Sequence, residues 1–422
     1  MPQKLYILDV DVFLDSGGAG KASYDIILGL TNYYRIFFIP KYASYRKLTK
    51  TNISLFTKDL NHLEKKGVEI PDILKDLSSH HNLSYKKYLE MISSLIDNDS
   101  IVMDLNYFPE IEPGNFGDIV NSFFHQGEIN YLKKNNNSKI ITLLQTLDNR
   151  PIKSHIHFAM KSFLTFHFLD LKLFLKSFYR TIKDPLSTNW LMKNADLIMV
   201  YSQGSIISLN QKFMDKFKIL KIGNNIKYTV NVGEKSDYIV YFSRLIYEKG
   251  ILDLIEIFKI ILKSHDADLV ITGRFYEKET EYLFFNRIKK LGLTNRIKFL
   301  GYIQRQDLDK VISNAKVFLY PSHYDSFPYA ILESMSLSTA VITYSLPTIS
   351  YAFNNLDCVF LIKEFDIYNM AYKTIEVLKL DIGDYNKMFD NLKTKNFIAM
   401  HMKIDENINE INNCIRELLK KD

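Results

Sequence analysis

The pattern of hydrophobic positions changes between two periods along the chain. Short uninterrupted apolar runs, such as YIVYF at 238–242, alternate with segments in which apolar residues recur every three or four positions. Uninterrupted runs are typical of strands buried on both faces of a parallel sheet, and the longer period is typical of amphipathic helices. The alternation predicts an α/β chain with doubly wound parallel sheets.

The predicted elements are clearest in the second half. A helix is predicted to open at Gly250, a second covers 277–291 and a third begins near Pro328. Apolar runs predict strands in both halves, and the residues after about 383 have a helical pattern. The predicted strands are 5–8, 35–39, 100–104, 139–144, 196–201, 219–222, 238–242, 267–272, 297–300, 317–320 and 340–343.

A polar segment separates the two halves. Residues 228–237 contain Gly233 and show no periodicity, so they are predicted to be a linker. We expect two Rossmann-like doubly wound domains that face each other across a cleft. Their predicted bounds are 1–230 and 236–382, followed by a C-terminal helical segment over 383–422.

Composition narrows the function classes. The 422 residues are 47% hydrophobic and 24% charged, which excludes a disordered or collagen-like chain. The net charge of +6 forms no concentrated basic stripe, so no nucleic-acid partner is expected. Two cysteines, Cys358 and Cys414, cannot build a disulfide framework or a multi-thiolate metal site, and they favour a reducing compartment.

Targeting signals are not expected at the start of the chain. The first apolar stretch contains Asp9 and Asp11 and lacks a small-residue cleavage site, so it is interpreted as a strand and not as a signal peptide. No window of about 18 uncharged apolar residues occurs. These features predict a cytoplasmic location.

Candidate chemistry lies where predicted strands end. Arg244 follows the strand 238–242, and Lys249 precedes the helix that opens at Gly250. The carboxyl ends of parallel strands face the ligand crevice, and helix N-termini favour anions. One Arg and one Lys at this point can clamp a diphosphate, although a surface turn with two solvated cations is an equally good interpretation.

Two further loops occupy equivalent strand ends. Gly273 and Arg274 follow one predicted strand, and Gly301 and Tyr302 follow the next. Glycine at such a position lets a flat ligand approach the backbone closely. Each glycine alone is better explained as a simple turn glycine, and it is their joint placement on one edge that favours a ligand site.

Two carboxylates flank the helix that begins near Pro328. Asp325 lies before the helix and Glu333 lies inside it. Carboxylates can accept hydrogen bonds from sugar or ribose hydroxyls, and the N–H groups of Phe327 and Tyr329 can hold a phosphate. The alternative is a capping Asp and an ordinary helical Glu.

Together these motifs resemble the retaining, nucleotide-sugar-dependent glycosyltransferases of the GT-B architecture, specifically glycosyltransferase family 4. The family pattern G-R-L-x-x-x-K-G stands here as SRLIYEKG at 243–250, and Asp325 and Glu333 have the spacing of its two Glu residues. NADLIMVYS at 194–202 and IGNNI at 222–226 also resemble the family. The resemblance covers about residues 190–345.

The resemblance implies roles for these residues. Arg244 and Lys249 would bind the donor diphosphate and stabilise it as the leaving group, Asp325 would lie near the donor sugar, and Glu333 would hold the ribose hydroxyls. The remaining donor-binding residues implied or predicted are Gly17, Gly18, Gly273, Arg274, Gly301, Phe327, Pro328 and Tyr329.

The resemblance also implies the reaction class. The chain would be a retaining hexosyltransferase that acts in glycan biosynthesis and needs neither a metal ion nor a cofactor. Residues 1–230 would bind the acceptor, which would be a saccharide, a lipid-linked glycan or a protein glycan. Residues 236–382 would bind the nucleoside-diphosphate-sugar donor.

Departures from the family pattern keep two alternatives open. Ser243 and Pro328 replace expected glycines, Asp325 replaces a Glu, and Gln145 stands where the family often has a His. A nucleotide-sugar epimerase on the same scaffold and a non-catalytic nucleotide-sugar binding protein are the alternatives.

Three further sequence patterns bear on nucleotide, metal and membrane binding. The segment GGAGKA imitates a phosphate-binding loop but has Asp15 and Ala22 where the Walker pattern needs Gly and Ser or Thr. No His, Cys and carboxylate spacing suggests zinc. An apolar seam with Lys and Arg beside it runs through 155–183. It predicts either a core-facing helix or a basic amphipathic helix in peripheral contact with the inner face of a membrane.

Overall fold

The computed structural model describes residues 2–9, 18–42, 50–75, 83–105, 127–144, 191–207, 209, 211–226 and 234–420. The chain divides into two compact units. The first consists of Met1–Tyr201, Ser205–Lys221 and Ile404–Asp422, and the second of Ser202–Gly204 and Ile222–Lys403. The sequence-based bounds 1–230, 236–382 and 383–422 stay a prediction.

The first unit contains a parallel sheet whose strands are short, apolar and buried. The strand order is β2-β1-β3-β4-β5-β6, and every neighbouring pair is parallel. The strands are β1 (Lys4–Asp9), β2 (Arg35–Pro40), β3 (Ile101–Asp104), β4 (Lys139–Leu144), β5 (Leu197–Val200) and β6 (Phe217–Ile219).

Helices connect these strands in the first unit. The described helices are α1 (Gly18–Leu30), α2 (Lys50–Lys65), α3 (Asp72–Lys75), α4 (Tyr85–Leu95) and α5 (Gly127–Asn136). Short 3₁₀ helices follow at Gln203–Ser205, which straddles the two units, and at Gln211–Lys216.

The second unit contains another six-stranded parallel sheet, in the order β12-β11-β10-β7-β8-β9. The chain runs outwards from β7 to β9, returns to pair β10 with β7, and runs outwards again on the other side. Ligands of doubly wound sheets bind outside the carboxyl ends at such a reversal of strand order, which here lies between β7 and β10. The strands are β7 (Ser236–Phe242), β8 (Asp268–Thr272), β9 (Ile297–Gly301), β10 (Ala315–Tyr320), β11 (Ala340–Tyr344) and β12 (Val359–Ile362).

Helices follow each strand of this sheet. A one-turn 3₁₀ helix, Tyr247–Lys249, follows β7 and leads into the first of them. The helices are α6 (Ile251–Ile261), α7 (Lys278–Lys290), α8 (Arg305–Asn314), α9 (Tyr329–Ser336), α10 (Pro347–Phe353), α11 (Ile367–Leu378), α12 (Ile382–Asp390) and α13 (Leu392–His401).

The last helix, α14 (Ile404–Leu419), belongs to the first unit. It packs on α1, where a Cβ added to Gly29 would lie 2.5 Å from Ile408 Cγ1. Tyr34 Oη donates to Asn412 Oδ1 over 2.9 Å, and both groups are buried. The helical pattern after residue 383 therefore corresponds to three helices, of which the last packs on the sheet-bearing first unit.

The predicted fold class, an α/β chain with two Rossmann-like domains, is confirmed. One strand prediction is wrong and one strand was missed. The predicted strand 219–222 lies two residues earlier, at Phe217–Ile219. Phe217 and Ile219 pair with β5, whereas Leu220 is joined to that strand only by the hydrogen bond from its N–H to Val200 O. The strand β12 was not predicted.

A lysine side chain just before β7 caps the C-termini of two helices in the second unit. Lys235 Nζ donates to the carbonyls of Ser313, Ala315 and Leu337, at the ends of α8 and α9. A cation at a helix C-terminus is favourable because the last carbonyls lack intrahelical partners. Burial lowers the pKa of Lys235 to about 7.

Within the described ranges, no helix has both the length and the apolar character needed to cross a bilayer.

Candidate functional site

The site of the second unit begins with a tight turn after β7. Gly250 has φ 72°, and a Cβ added there would lie 1.8 Å from the carbonyl oxygen of Pro321. Only glycine fits this left-handed conformation and close approach without strain. The turn that carries Lys249 is therefore packed directly against the loop that follows β10.

Lys249 is held between these two segments. Its side chain is 7% exposed, and its Nζ donates to Asp325 Oδ2 over 2.6 Å and to the carbonyl oxygen of Tyr324 over 2.8 Å. Burial lowers the pKa of Lys249, Asp325 opposes that effect, and Arg244 adds to it. An ammonium group has three N–H donors, so one remains for a ligand.

Asp325 is fixed by three partners. Its Oδ2 accepts from Lys249 and from the Tyr320 hydroxyl, and its carbonyl oxygen accepts from Thr348 Oγ1 over 2.6 Å. Burial, followed by Asp325, raises the pKa of Tyr320 well above its ordinary value, so the hydroxyl stays protonated and donates. The other carboxylate oxygen of Asp325 is left to accept from a ligand.

Arg244 differs from Lys249 because its side chain is exposed. Among the residues that the structure describes, its guanidinium has no side-chain partner, and it is close enough to Lys249 to affect that residue's pKa. The backbone around it is ordered by the bond from Leu245 N to Arg274 O, of 2.9 Å. Arg244 therefore presents an unengaged cation beside the buried Lys249–Asp325 pair.

The glycine loops after β8 and β9 lie next to Arg244. A Cβ added to Gly273 would lie 2.1 Å from Ser243 O, and Gly273 N donates to Gly301 O over 2.9 Å. The close approach explains why a residue without a Cβ atom is needed at position 273. Arg274 lies over the Tyr302 ring, 4.1 Å from its centroid.

The loop before α9 is held in place by packing of Phe327 and by a hydrogen bond to its carbonyl oxygen. Phe327 is buried between the rings of Phe353 and His401, with centroids 5.1 and 5.4 Å away. Its carbonyl oxygen accepts from Asn224 Nδ2 over 2.8 Å, and a Cβ added to Gly223 would strike its ring. Phe327 thus serves as a packing anchor of the loop.

Pro328 and Tyr329 mark the start of α9. Pro328 occupies the N-cap position of the helix with φ −71°, and Tyr329, its first helical residue, is 9% exposed. Proline is well suited to the start of a helix because the missing N–H would have no intrahelical partner.

Glu333 lies one turn into α9 and is paired. Its Oε1 accepts from Arg305 Nη1, and Arg305 Nη2 lies 2.7 Å from Asp309 Oδ1. The Glu333 side chain is 11% exposed, whereas Arg305 is 45% exposed. The more exposed guanidinium therefore covers a nearly buried carboxylate.

The predicted residues of the second unit thus converge on one edge of its sheet. Arg244 and Lys249 follow β7, and Asp325 follows β10, which is the point where strand order reverses. Cations beside a carboxylate, in front of a helix N-terminus, can bind a diphosphate together with a polyhydroxylated group.

Sequence reasoning missed three residues that position this site, namely Tyr320, Arg305 and His323. Tyr320 was visible as the last residue of a predicted strand, and Arg305 is the first residue of α8. His323 gave no signal, because its partners are distant in sequence.

Several predicted features lie outside the described residues. Gly17, Gln145 and the segment 155–183 are among them, whereas Gly18 is the first residue of α1. In the described part of the chain, no group of three or more His, Cys, Asp or Glu side chains could hold a metal ion.

A second buried ion pair lies at the carboxyl ends of the first unit's strands. Lys41 Nζ donates to Asp104 Oδ1 over 2.7 Å, with the two side chains 3% and 1% exposed. Asp104 ends β3, and Lys41 N donates to the carbonyl oxygen of Asp9 at the end of β1. Burial lowers the pKa of Lys41, but Asp104, Glu128 and Asp9 outweigh it and the net pKa is raised.

The second unit matches a family model. Residues 224–395 match the model of glycosyl transferases group 1. This range includes all the predicted site residues of the second unit.

Curated relatives agree with this match. An uncharacterized glycosyltransferase of Methanocaldococcus jannaschii, MJ1607, is 32% identical over 126 residues, which cover 29% of this chain and 30% of the relative. The chain thus matches about a third of that relative's length.

Solved structures extend the likeness to the whole chain at the level of the fold. A glycosyltransferase from Rickettsia africae has a TM-score of 0.62 at 14% identity, with all of both chains covered. Anabaena Alr3699/HepE in complex with UDP and glucose has a TM-score of 0.58 at 16% identity, again with all of both chains covered. The second unit is thus similar to glycosyl transferases group 1, and the chain as a whole shares the fold of solved glycosyltransferases.

Proposed function

We propose that this protein is a retaining glycosyltransferase that moves a sugar from a nucleoside-diphosphate-sugar to a hydroxyl acceptor. The observation that carries the proposal is the buried Lys249–Asp325 pair beside the exposed Arg244, at the reversal of strand order. The match to glycosyl transferases group 1 favours transfer over epimerisation and over binding without turnover.

Lys249 and Arg244 bind the donor diphosphate in this proposal. The third N–H of Lys249 and the guanidinium of Arg244 donate to phosphate oxygens, where charge develops as the sugar leaves. Donors that are already fixed before the reaction stabilise such charge without reorganising. These two side chains take the role that a divalent cation has in other glycosyl transfers, and neither a metal ion nor a cofactor is required.

Asp325 and Glu333 orient the two sugars of the donor. The unengaged oxygen of Asp325 accepts from a hydroxyl of the transferred sugar, and Glu333 accepts from the ribose hydroxyls. The loop from Phe327 to Tyr329 lines the same edge, together with Gly273, Arg274 and Gly301. The resemblance also assigns Gly17 and Gly18 to donor binding.

The bond changes take place on one face of the sugar. The bond from the anomeric carbon to the phosphate oxygen breaks, the bond to the acceptor oxygen forms, and the acceptor's proton passes to the departing phosphate oxygen. This route retains the anomeric configuration without a protein nucleophile. Catalysis then depends on position and electrostatics.

UDP-sugars are the first donors to test, because Alr3699/HepE, which shares the fold, was solved in complex with UDP and glucose. The acceptor is a saccharide, a lipid-linked glycan or a protein glycan bound by the first domain. Peripheral contact of 155–183 with the inner face of a membrane would suit a lipid-linked acceptor, and the protein would act in the cytoplasm.

The test is calorimetric titration with UDP, GDP, ADP and their sugar conjugates. One nucleoside diphosphate should bind, and Arg244→Ala should weaken it at least about tenfold, the value of one charge-assisted hydrogen bond. Arg416→Ala, which removes an exposed arginine of the first unit, should leave binding unchanged. Failure of every nucleotide to bind would overturn the proposal. Binding without release of nucleoside diphosphate in the presence of any acceptor would instead support a binding protein.

A further inference from the structure

His323 occupies an unusual place two residues before Asp325. Its side chain is 3% exposed, and its two ring nitrogens each face a carboxylate. Nε2 lies 3.0 Å from Asp253 Oδ2 and Nδ1 lies 2.8 Å from Glu364 Oε1.

This geometry determines the charge of the ring. A neutral imidazole has one N–H and one lone pair, so it can donate to only one of two carboxylates. The second nitrogen would then direct its lone pair at a carboxylate oxygen. Only the imidazolium donates to both Asp253 and Glu364, and it also balances part of their charge.

Two of the three segments joined by this ring belong to the donor site, and the third, which carries Glu364, follows β12. Asp253 lies in the first turn of α6, the helix that begins directly after Lys249 and Gly250. His323 N donates to the carbonyl oxygen of Glu248 over 2.9 Å, which adds a second link to the same turn. The ring therefore connects the Lys249 turn to the Asp325 loop at a point behind the ion pair.

Neighbouring groups enclose the ring on its remaining sides. The ring centroid lies 5.0 Å from that of Tyr344, whose hydroxyl donates to Asp253 Oδ2 over 2.9 Å, and 4.7 Å from that of Phe365. Phe365 has φ 71°, a left-handed conformation that is strained for a bulky residue and persists only where the surroundings enforce it. The backbone strain beside Glu364 is consistent with a firmly held cluster.

We infer that His323 is a positioning residue for the proposed transfer, whose imidazolium bridges Asp253 and Glu364 and so holds Lys249 and Asp325 in their donor-binding geometry. This inference rests on the proposed function and adds a dependence on pH that the donor contacts alone do not give.

The sign of the pH dependence follows from the cluster. Burial lowers the pKa of His323, but the charges and hydrogen bonds of Asp253 and Glu364 outweigh it, and the net pKa lies above 6.5. Tyr344, whose pKa is raised by burial and then by Asp253, stays protonated and remains a donor. The bridge is therefore complete below pH 6.5 and is lost as the pH rises through the raised pKa of His323.

The experiment measures UDP affinity by calorimetry from about pH 6 to about pH 9, the range over which a histidine with a raised pKa titrates. His323→Gln should weaken binding about tenfold at the acid end and flatten the change with pH. Glu364→Gln keeps a hydrogen-bond acceptor but removes one charge, so it should move the alkaline loss of affinity to lower pH. Glu376→Gln, an exposed glutamate bonded to Lys373, is the matched control.

Lys249 also loses a proton at alkaline pH, so the movement of the midpoint in Glu364→Gln is the decisive result. The midpoint should coincide with the titration of the His323 ring followed by NMR, in the wild type and in Glu364→Gln alike. If UDP still binds but the loss of affinity has the same midpoint pH in the wild type and in Glu364→Gln, the role of His323 is overturned and the proposed function is not. If no nucleoside diphosphate binds to the wild type at any pH, the proposed function fails and this role fails with it.

Discussion

Lys249 and Asp325, 76 residues apart in the chain, form an ion pair of 2.6 Å in which both side chains are almost fully buried. Removing two charges from water is costly, and a hydrophobic pair of the same volume often stabilises a protein as well or better. A buried pair at the edge where ligands bind is therefore better explained by ligand binding than by stability.

This relationship predicts different outcomes for stability and for binding. Lys249→Met leaves the Asp325 carboxylate buried without its ion-pair partner, so the free energy of unfolding should fall by about 3 kcal/mol or more in urea denaturation. The double variant Lys249→Met, Asp325→Asn removes both charges and should regain most of that loss. Nucleoside diphosphate binding should be lost in both variants, and its recovery in the double variant would refute the clamp.

Tyr320 is predicted to affect turnover more than donor binding. Its hydroxyl donates to the same Asp325 oxygen that Lys249 contacts, so Tyr320→Phe leaves the ion pair but allows the carboxylate to rotate. We expect kcat to fall about tenfold, the value of one hydrogen bond to a charged group, while the Kd of the nucleoside diphosphate changes by less than about twofold. Tyr238→Phe removes a hydroxyl that donates to Val311 O and is the control. Equal losses of kcat and of nucleoside diphosphate affinity in Tyr320→Phe would contradict the view that Tyr320 acts only by orienting Asp325.

Glu333 is predicted to bind the ribose hydroxyls, and this can be tested by changing the side chain and by removing the hydroxyls from the ligand. Glu333→Gln should weaken UDP binding by about 10- to 100-fold, because a charged acceptor of the ribose hydroxyls becomes neutral. The same substitution should have little effect on 2′,3′-dideoxyuridine diphosphate, which lacks those hydroxyls. An equal loss for both ligands, or a loss of thermal stability alone, would assign Glu333 a structural role in the Arg305 pair.

Most strands of both sheets were predictable from sequence because each strand is a short apolar run that can be recognised without knowledge of its partners. Uninterrupted runs such as that in β7 have few alternatives, and the Lys249 and Asp325 motifs stand directly beside strand ends. The edge strand β6 was misplaced because its apolar residues are interspersed with lysines and only three of its residues pair. Short edge strands give the weakest pattern.

The contacts between motifs could not be predicted in the same way. The partners of His323 lie 41 and 70 residues away, and the hydroxyl of Tyr320 could have met any of several neighbours. Such pairings depend on strand order and on helix placement, which a hydrophobic pattern does not specify. Sequence identified which residues have suitable chemistry, and the fold decided which of them meet.

The two buried histidines of the second unit should respond to pH in opposite directions. His401 Nδ1 donates to Phe397 O over 2.8 Å, and Nε2 accepts from Gly223 N over 3.4 Å, so the ring is neutral. Burial lowers its pKa to about 4. A lowered histidine pKa means that the unfolded chain binds the proton more readily, so stability is full above pH 6.5 and is lost as the pH falls towards 4.

The loss from His401 should amount to about 3 kcal/mol over that interval, since each pKa unit corresponds to about 1.4 kcal/mol. Urea denaturation at several pH values should show this loss in the wild type and a smaller one in His401→Gln. His323→Gln should leave the acid loss unchanged and should instead remove stability below pH 6.5, where the imidazolium bridge is complete. If His401→Gln retained the full acid loss, carboxylates elsewhere would be its cause, and the neutral ring between Phe327 and Phe397 would have no part in it.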